Sequence, residues 1–182
     1  MKVIFLDVDG VLNCRSTEAR CGHYIGIDDD KVQRLRQIVD ATGAVIMLVS
    51  SWKDGWDREY KEDQDALANY LDRKLNAAGM RILDKTEDNH HDRGAGILRW
   101  TEGRPVESFV ILDDCLFDYR EMGLLSRLVE TTEGADDGGL QDVHVQRAIE
   151  ILNATADAEN SRNMSFYRKS ALRGRSATPW RA

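Results

Sequence analysis

Apolar residues along this chain gather in short runs separated by longer amphipathic stretches, and several of the runs end abruptly in acids or serines. Residues 2–7, Lys-Val-Ile-Phe-Leu-Asp, read as a buried strand that delivers a carboxylate at its carboxyl end. After a loop containing Gly22 and Gly26, Asp28 stands where it can cap a helix. Val32, Leu35, Ile38 and Val39 recur there at helical spacing, and Gly43 stops it. Residues 44–49 form the second apolar run. Tyr60, Leu67, Leu71, Leu75 and Ala78 predict another helix, closed by Gly79, and residues 81–83 a weaker third strand. Ile97, Leu98 and Trp100 predict a short helix after Arg93. Residues 109–112 then run as a fourth strand into Asp113 and Asp114, residues 128–130 make a fifth, and Val145, Ala148, Ile149 and Leu152 mark a last helix. The glycine- and aspartate-rich residues 131–139 read as a loop.

Strands alternating with helices of this length imply right-handed crossovers and a parallel sheet covered on both faces. The expected fold is therefore α/β, a doubly wound, five-stranded, Rossmann-like sheet. Ligands of such sheets bind beyond the carboxyl ends of the strands. The residues to read for chemistry are thus Asp7 and Asp9, Ser50 and Ser51, and Asp113 and Asp114.

Composition narrows the class without changing this picture. A chain of 182 residues with 42% hydrophobic and 31% charged residues fits one globular domain and is neither disordered nor fibrous. Its apolar runs fall far short of the roughly 20 residues of a membrane helix, so no membrane partner is expected. Asp7 and Asp9 interrupt the place where an export signal would carry its apolar stretch, which points to the cytoplasm. Cys14, Cys21 and Cys115 are odd in number and unpaired in spacing, so free thiols are expected. Cys14, Cys21 and His23 lack the paired spacing of a zinc site. Charge, however, is uneven. Residues 157–182 carry six basic and two acidic side chains, a net +4, so residues 1–156 hold −11 of the total −7. The expected organisation is a domain over 1–156 followed by a basic tail over 157–182. Such a tail is commonly just solvated, but it also suits a polyanionic partner.

The acid pairs carry the chemistry. Two aspartates one residue apart, followed by Gly10, place carboxylates at a tight turn, and a second acidic pair ends a later strand. Carboxylates converging on one crevice repel unless a proton or cation is shared among them, and such oxygen donors suit a hard ion, Mg2+. Single acids at strand ends often only cap helices; two pairs beside a serine-tipped strand fit a cation site better.

The segment Phe5-Leu-Asp7-Val-Asp9-Gly10-Val-Leu resembles the first motif of the haloacid dehalogenase-like (HAD) superfamily. Ser50 matches its second motif, and Ile111-Leu-Asp113-Asp114 with Asp118 matches its fourth. For the basic third motif Arg93 and Lys53 are both candidates, with Arg93 preferred. The Ser50-Ser-Trp-Lys53 run, Arg93 ahead of a helix ending in Trp100, and Gly139-Leu140 look like the small phosphatase-type domains of Swiss-Army-knife RNA repair proteins. They are similar also to the phosphatase half of polynucleotide kinase-phosphatases, although no GxxxxGK[ST] kinase loop is present.

The resemblance implies a Mg2+-dependent phosphomonoester hydrolase with Asp7 as nucleophile and Asp9 as general acid and base. It implies Asp7, the Asp9 backbone carbonyl and Asp114 as metal ligands, while Asp113 orients the basic residue or a metal-bound water. Ser50 and Arg93 would bind phosphate, joined by Gly10, Ser51 and Lys53 around the same group. Trp52 and Trp56 are expected to pack, with stacking on a base as the alternative. His90 and His91 are expected on a surface loop, Cys115 in packing, and Thr131 and Thr132 as further candidate substrate contacts. Residues 10–27, and the stretch from the third strand to Arg93, are too short for a folded cap, so an open crevice is expected. That suits a phosphate on the end of a large molecule, a 3′-phosphate of RNA or DNA, with no obligate protein partner; a nucleotide or small phosphometabolite is the alternative. Two other classes compete: a phospho-acceptor receiver, whose acceptor would end the third strand, and a catalytically silent interaction domain.

Overall fold

Side chains on a strand alternate between the two faces of its sheet, so an all-apolar run must be covered twice. The chain does this with β1 (Lys2–Leu6) at the centre. The computed structural model describes residues 1–134 and 138–154. After β1 come β2 (Arg20–Cys21), β3 (Tyr24–Ile25), α1 (Asp29–Thr42), β4 (Val45–Leu48), α2 (Ala66–Ala77) and β5 (Ile82–Lys85). They are followed by α3 (Arg93–Thr101), β6 (Ser108–Asp113), β7 (Leu128–Glu130) and α4 (Asp142–Asn153). Five strands pair in parallel in the order β5-β4-β1-β6-β7, the doubly wound α/β sheet that the pattern predicts.

Ile4 and Leu6 face one core, built with Val32, Leu35 and Ile38 of α1, Leu71 and Leu75 of α2, and Val145 and Ala148 of α4. Val3 and Phe5 face the other, with Ile97 of α3, Tyr119 and Leu124. The chain winds outward from β1 to β5 and then crosses the opposite face through α3 to β6. Strand order reverses at β1, where the crevice of such a sheet lies. Pairing continues past the strand ends: Asp7 N–H donates to the Leu112 carbonyl at 2.9 Å, Val49 N–H to Leu6 at 3.0 Å, and Thr131 N–H to Asp113 at 3.0 Å. These bonds bring Asp7, Ser50, Asp113 and Thr131 to one edge.

Several boundaries differ from the pattern. Tyr60 lies outside α2 and is 58% exposed, because Asp65 caps the helix, accepting the Ala68 N–H at 2.8 Å. The third strand is Ile82–Lys85 rather than 81–83; its polar residues sit on the sheet edge, where alternation fades. Asp28 occupies the N-cap position of α1, yet its carboxylate serves Thr17 and Lys31 instead of the helix. Gly43 ends α1 in the left-handed region at φ 67°. Within the loop after the first motif, β2 and β3 form a two-stranded antiparallel ribbon that no periodicity announced. The three cysteines are free, and Cys115 is exposed where packing was expected. Among the described residues no helix is long and apolar enough to cross a membrane. The basic tail, residues 157–182, lies outside the described residues.

Candidate active site

The turn after β1 holds both acids of the first motif by different means. Asp7 is buried; its Oδ1 accepts the Val8 N–H at 2.7 Å and its Oδ2 a hydrogen bond from Arg93 Nη1 at 2.8 Å. Asp9 is held through both oxygens, by Asn13 Nδ2 at 2.8 Å and the Trp52 indole N–H at 2.9 Å. Gly10 has φ 69°, and a Cβ there would collide with the Asp114 carboxylate, so glycine is what lets β6 deliver Asp114 against this turn. The Gly10 N–H donates to Asn13 Oδ1 at 3.0 Å. Its carbonyl accepts the Thr131 hydroxyl at 2.6 Å, so buried Thr131 fastens the end of β7 to the motif; Thr132 is exposed.

Arg93 reaches Asp7 from the first turn of α3. Asp92 in the N-cap position makes no side-chain cap; the Asp118 carboxylate accepts the Gly94 and Ala95 N–H groups instead, at 2.6 and 3.0 Å. Arg93 Nη1 also donates to Asp113 Oδ2 at 2.7 Å, and the Phe117 ring lies 4.0 Å from the guanidinium carbon. Phe117 sits at φ 34°, a strained conformation for an aromatic residue, directly over this charge. Asp113 further accepts the Tyr119 hydroxyl at 2.7 Å and the Cys115 N–H at 2.9 Å. Burial, then the Asp7 charge, pushes the Asp113 carboxyl up to about 7 despite Arg93. Burial opposes the Arg93 charge, but Asp7 and Asp113 outweigh it and hold the guanidinium protonated.

Ser50 is fully buried, and its hydroxyl oxygen accepts the Trp52 N–H at 3.4 Å, capping a short 3-10 helix over Ser51–Gly55; Ser51 is exposed. That helix turns Lys53 into a buried pair with Asp88, whose other donors are Thr86 at 2.7 Å and the His90 N–H at 3.0 Å. Of the two basic candidates, Arg93 touches Asp7, while Lys53 pairs with Asp88. Trp56 packs and donates to Asp72 at 3.0 Å; His90 meets Asp54 at 3.1 Å, and His91 is exposed. Asn13, Phe117 and Tyr119 were not predicted as site residues, and Trp52 was weighed only for packing or for stacking on a base, because what each holds depends on a partner that the pattern does not mark.

The donors fit a hard divalent ion. Asp7, Asp113 and Asp114 set three carboxylates against the single guanidinium of Arg93, and burial followed by the Asp7 charge raises the Asp114 carboxyl as well. Asp113, Asp114 and Cys115 bring one ligand atom each within 4.8 Å of one another. Both Asp113 oxygens already accept hydrogen bonds, and the Cys115 thiol is pushed up to about 11 by burial and Asp114, so it stays a neutral, soft donor. Asp7 likewise accepts through both oxygens, from Val8 and Arg93, while half-buried Asp114 adds a carboxylate of the hard oxygen type that Mg2+ takes.

A doubly wound parallel sheet, an Asp-x-Asp-Gly turn after its central strand, a serine ending the next and an Asp-Asp pair ending β6 define a haloacid dehalogenase-like domain. The family model for the HAD domain in Swiss Army Knife RNA repair proteins matches residues 3–145, and the chain belongs to that family. A search of curated proteins and a search of solved structures each found no match.

Proposed function

We propose that this protein is a Mg2+-dependent phosphomonoester hydrolase that removes the terminal phosphate, a 3′-phosphate, from nucleic-acid ends. The observation that carries the reading is the pairing of Asp7 with Arg93 beside an Asp9 fixed by Asn13 and Trp52, in a chain of an RNA-repair family. An Asp7 oxygen attacks phosphorus as the bond to the leaving oxygen breaks, and Asp9 gives that oxygen its proton. Water then attacks phosphorus, Asp9 takes the water's proton, and inorganic phosphate departs with Asp7 restored. Arg93 and Ser50 hold the non-bridging oxygens, and Asp113 with Phe117 keeps Arg93 aimed. Asp7, the Asp9 carbonyl and Asp114 would hold Mg2+, which when bound would neutralise charge between carboxylate and phosphate.

The test is phosphate release with Mg2+ and with chelator, comparing 3′-phosphorylated oligonucleotides, 5′-phosphorylated oligonucleotides, mononucleotides and phosphopeptides. Chelator-sensitive release, fastest from the 3′-phosphate, is expected. A preference for mononucleotides would favour the second reading, a nucleotide phosphatase, which the modest cavity beside Asp9, about 270 Å³, also accommodates.

A further inference from the structure

The β2–β3 ribbon is a ledge at the mouth of the site. Its root is fixed: the Gly26 N–H donates to the Ala19 carbonyl at 2.7 Å, the Ile27 N–H to the Tyr70 hydroxyl at 3.2 Å, and Arg20 to the Thr17 and Ala19 carbonyls. Its outer strand nevertheless leaves Tyr24 62% and Ile25 39% exposed. Single exposed apolar residues are ordinary on any surface. These two, however, wall a cavity of about 270 Å³ that reaches Asp9 and Trp52 and has Arg15 and Glu133 at its rim.

We infer that this cavity is the leaving-group subsite and receives the terminal nucleoside of the nucleic acid, with the Tyr24 ring as its stacking platform. The inference rests on the phosphatase reading above. Asp9 is the group that protonates the leaving oxygen, so a cavity opening at Asp9 lies on the side of the alcohol that departs, whereas Arg93 lies on the side of the phosphate. Its volume sits just under the roughly 300–1,000 Å³ of pockets for drug-sized ligands, room for one nucleoside and not for several. An aromatic face stacks on any base without reading its edges, which suits an enzyme acting on ends of any sequence. Arg15, with its side chain 73% exposed and paired among the described residues with Glu133 at 3.4 Å, stands where the next backbone phosphate leaves the cavity. Glu133 competes for that charge and keeps the gain from the second phosphate small.

The test compares two 3′-phosphorylated oligoribonucleotides, one complete and one whose terminal residue lacks its base, with a small phosphomonoester alongside. Wild type should favour the complete end about tenfold or more in kcat/KM, the size of one base stacked on an aromatic ring. The ratio should collapse toward one in Tyr24→Ala and be restored in Tyr24→Phe. It should be unchanged in Tyr60→Ala, an exposed tyrosine away from this cavity. A ratio near one in wild type, or one that survives Tyr24→Ala, overturns the subsite and leaves the phosphatase reading standing. Turnover of the small phosphomonoester alone overturns the subsite together with the nucleic-acid substrate. Release from none of the three overturns the phosphatase reading itself.

Discussion

Arg93 is held at one end and over its face: two carboxylates share its Nη1, an aromatic ring covers the guanidinium, and its helix is capped by an acid from beyond β6. A charge so preorganised costs no rearrangement when a phosphate arrives. Arg93→Ala should lower kcat/KM by about 10²–10³-fold, the roughly 2.7–4 kcal/mol lost with one preorganised electrostatic group. Lys53→Ala should behave differently. It leaves the fully buried Asp88 carboxylate without its counter-charge, so about 3–5 kcal/mol of stability goes while kcat/KM of the folded fraction falls far less. Steady-state kinetics beside thermal melts of both variants checks this, and the reverse ranking would move the phosphate-site cation to Lys53. Asp7, Asp9, Ser50, Asp113 and Asp114 were legible as strand-end residues because two acid pairs and a serine all follow apolar runs, more than helix capping calls for. Asn13, Trp52 and Tyr119 were not, because an amide, an indole and a phenol look alike whether they pack or hold an acid until the partner is known. Gly10 was legible as a special position for a steric reason, but its amide belongs to Asn13.

At the level of elements, α3 is the part that makes the site. Asp118 matched the fourth motif in the sequence, and the fold shows it binding two N–H groups at the first turn of α3. Asp118→Ala should therefore cost about 1–2 kcal/mol, the range for a lost helix cap. It should also lower kcat more than it raises KM, because Arg93 is left on a fraying turn. Asp118→Asn, which keeps one acceptor oxygen, should recover part of both losses; equal kcat in wild type and Asp118→Ala would deny the coupling. Elements with strong periodicity, such as α1 and the two central strands, were readable because burial on one or both faces dictates their composition. The start of α2 depended on the Asp65 cap and not on the apolar Tyr60, and the polar edge strand β5 carried little pattern. Two-residue strands such as β2 and β3 are too short for any period to register.

Among the described residues, a small ribbon flanks the α/β crevice, and that opening suits a phosphate presented at the end of a long chain. The excess of acid in residues 1–156 opposes a polyanion, and the six basic residues of 157–182 are the natural counterweight. Deleting 157–182 should raise KM for oligonucleotides and flatten the dependence of log KM on log salt, by about 0.7 for each single-strand phosphate that the tail had neutralised. Hydrolysis of a small aryl phosphate should hold; equal effects on both substrates, or none on either, would detach the tail from substrate binding. The central claim, that Asp7 is the nucleophile of a phosphohydrolase, is tested most directly by phosphate release from a 3′-phosphorylated oligonucleotide with Mg2+ by wild type, Asp7→Asn and Asp9→Asn. The account predicts release by wild type and none by Asp7→Asn, since an amide is neither nucleophile nor anionic ligand. Asp9→Asn should be slowed with metal binding largely kept, because the ligand proposed there is the main-chain carbonyl; full turnover by Asp7→Asn would contradict the claim.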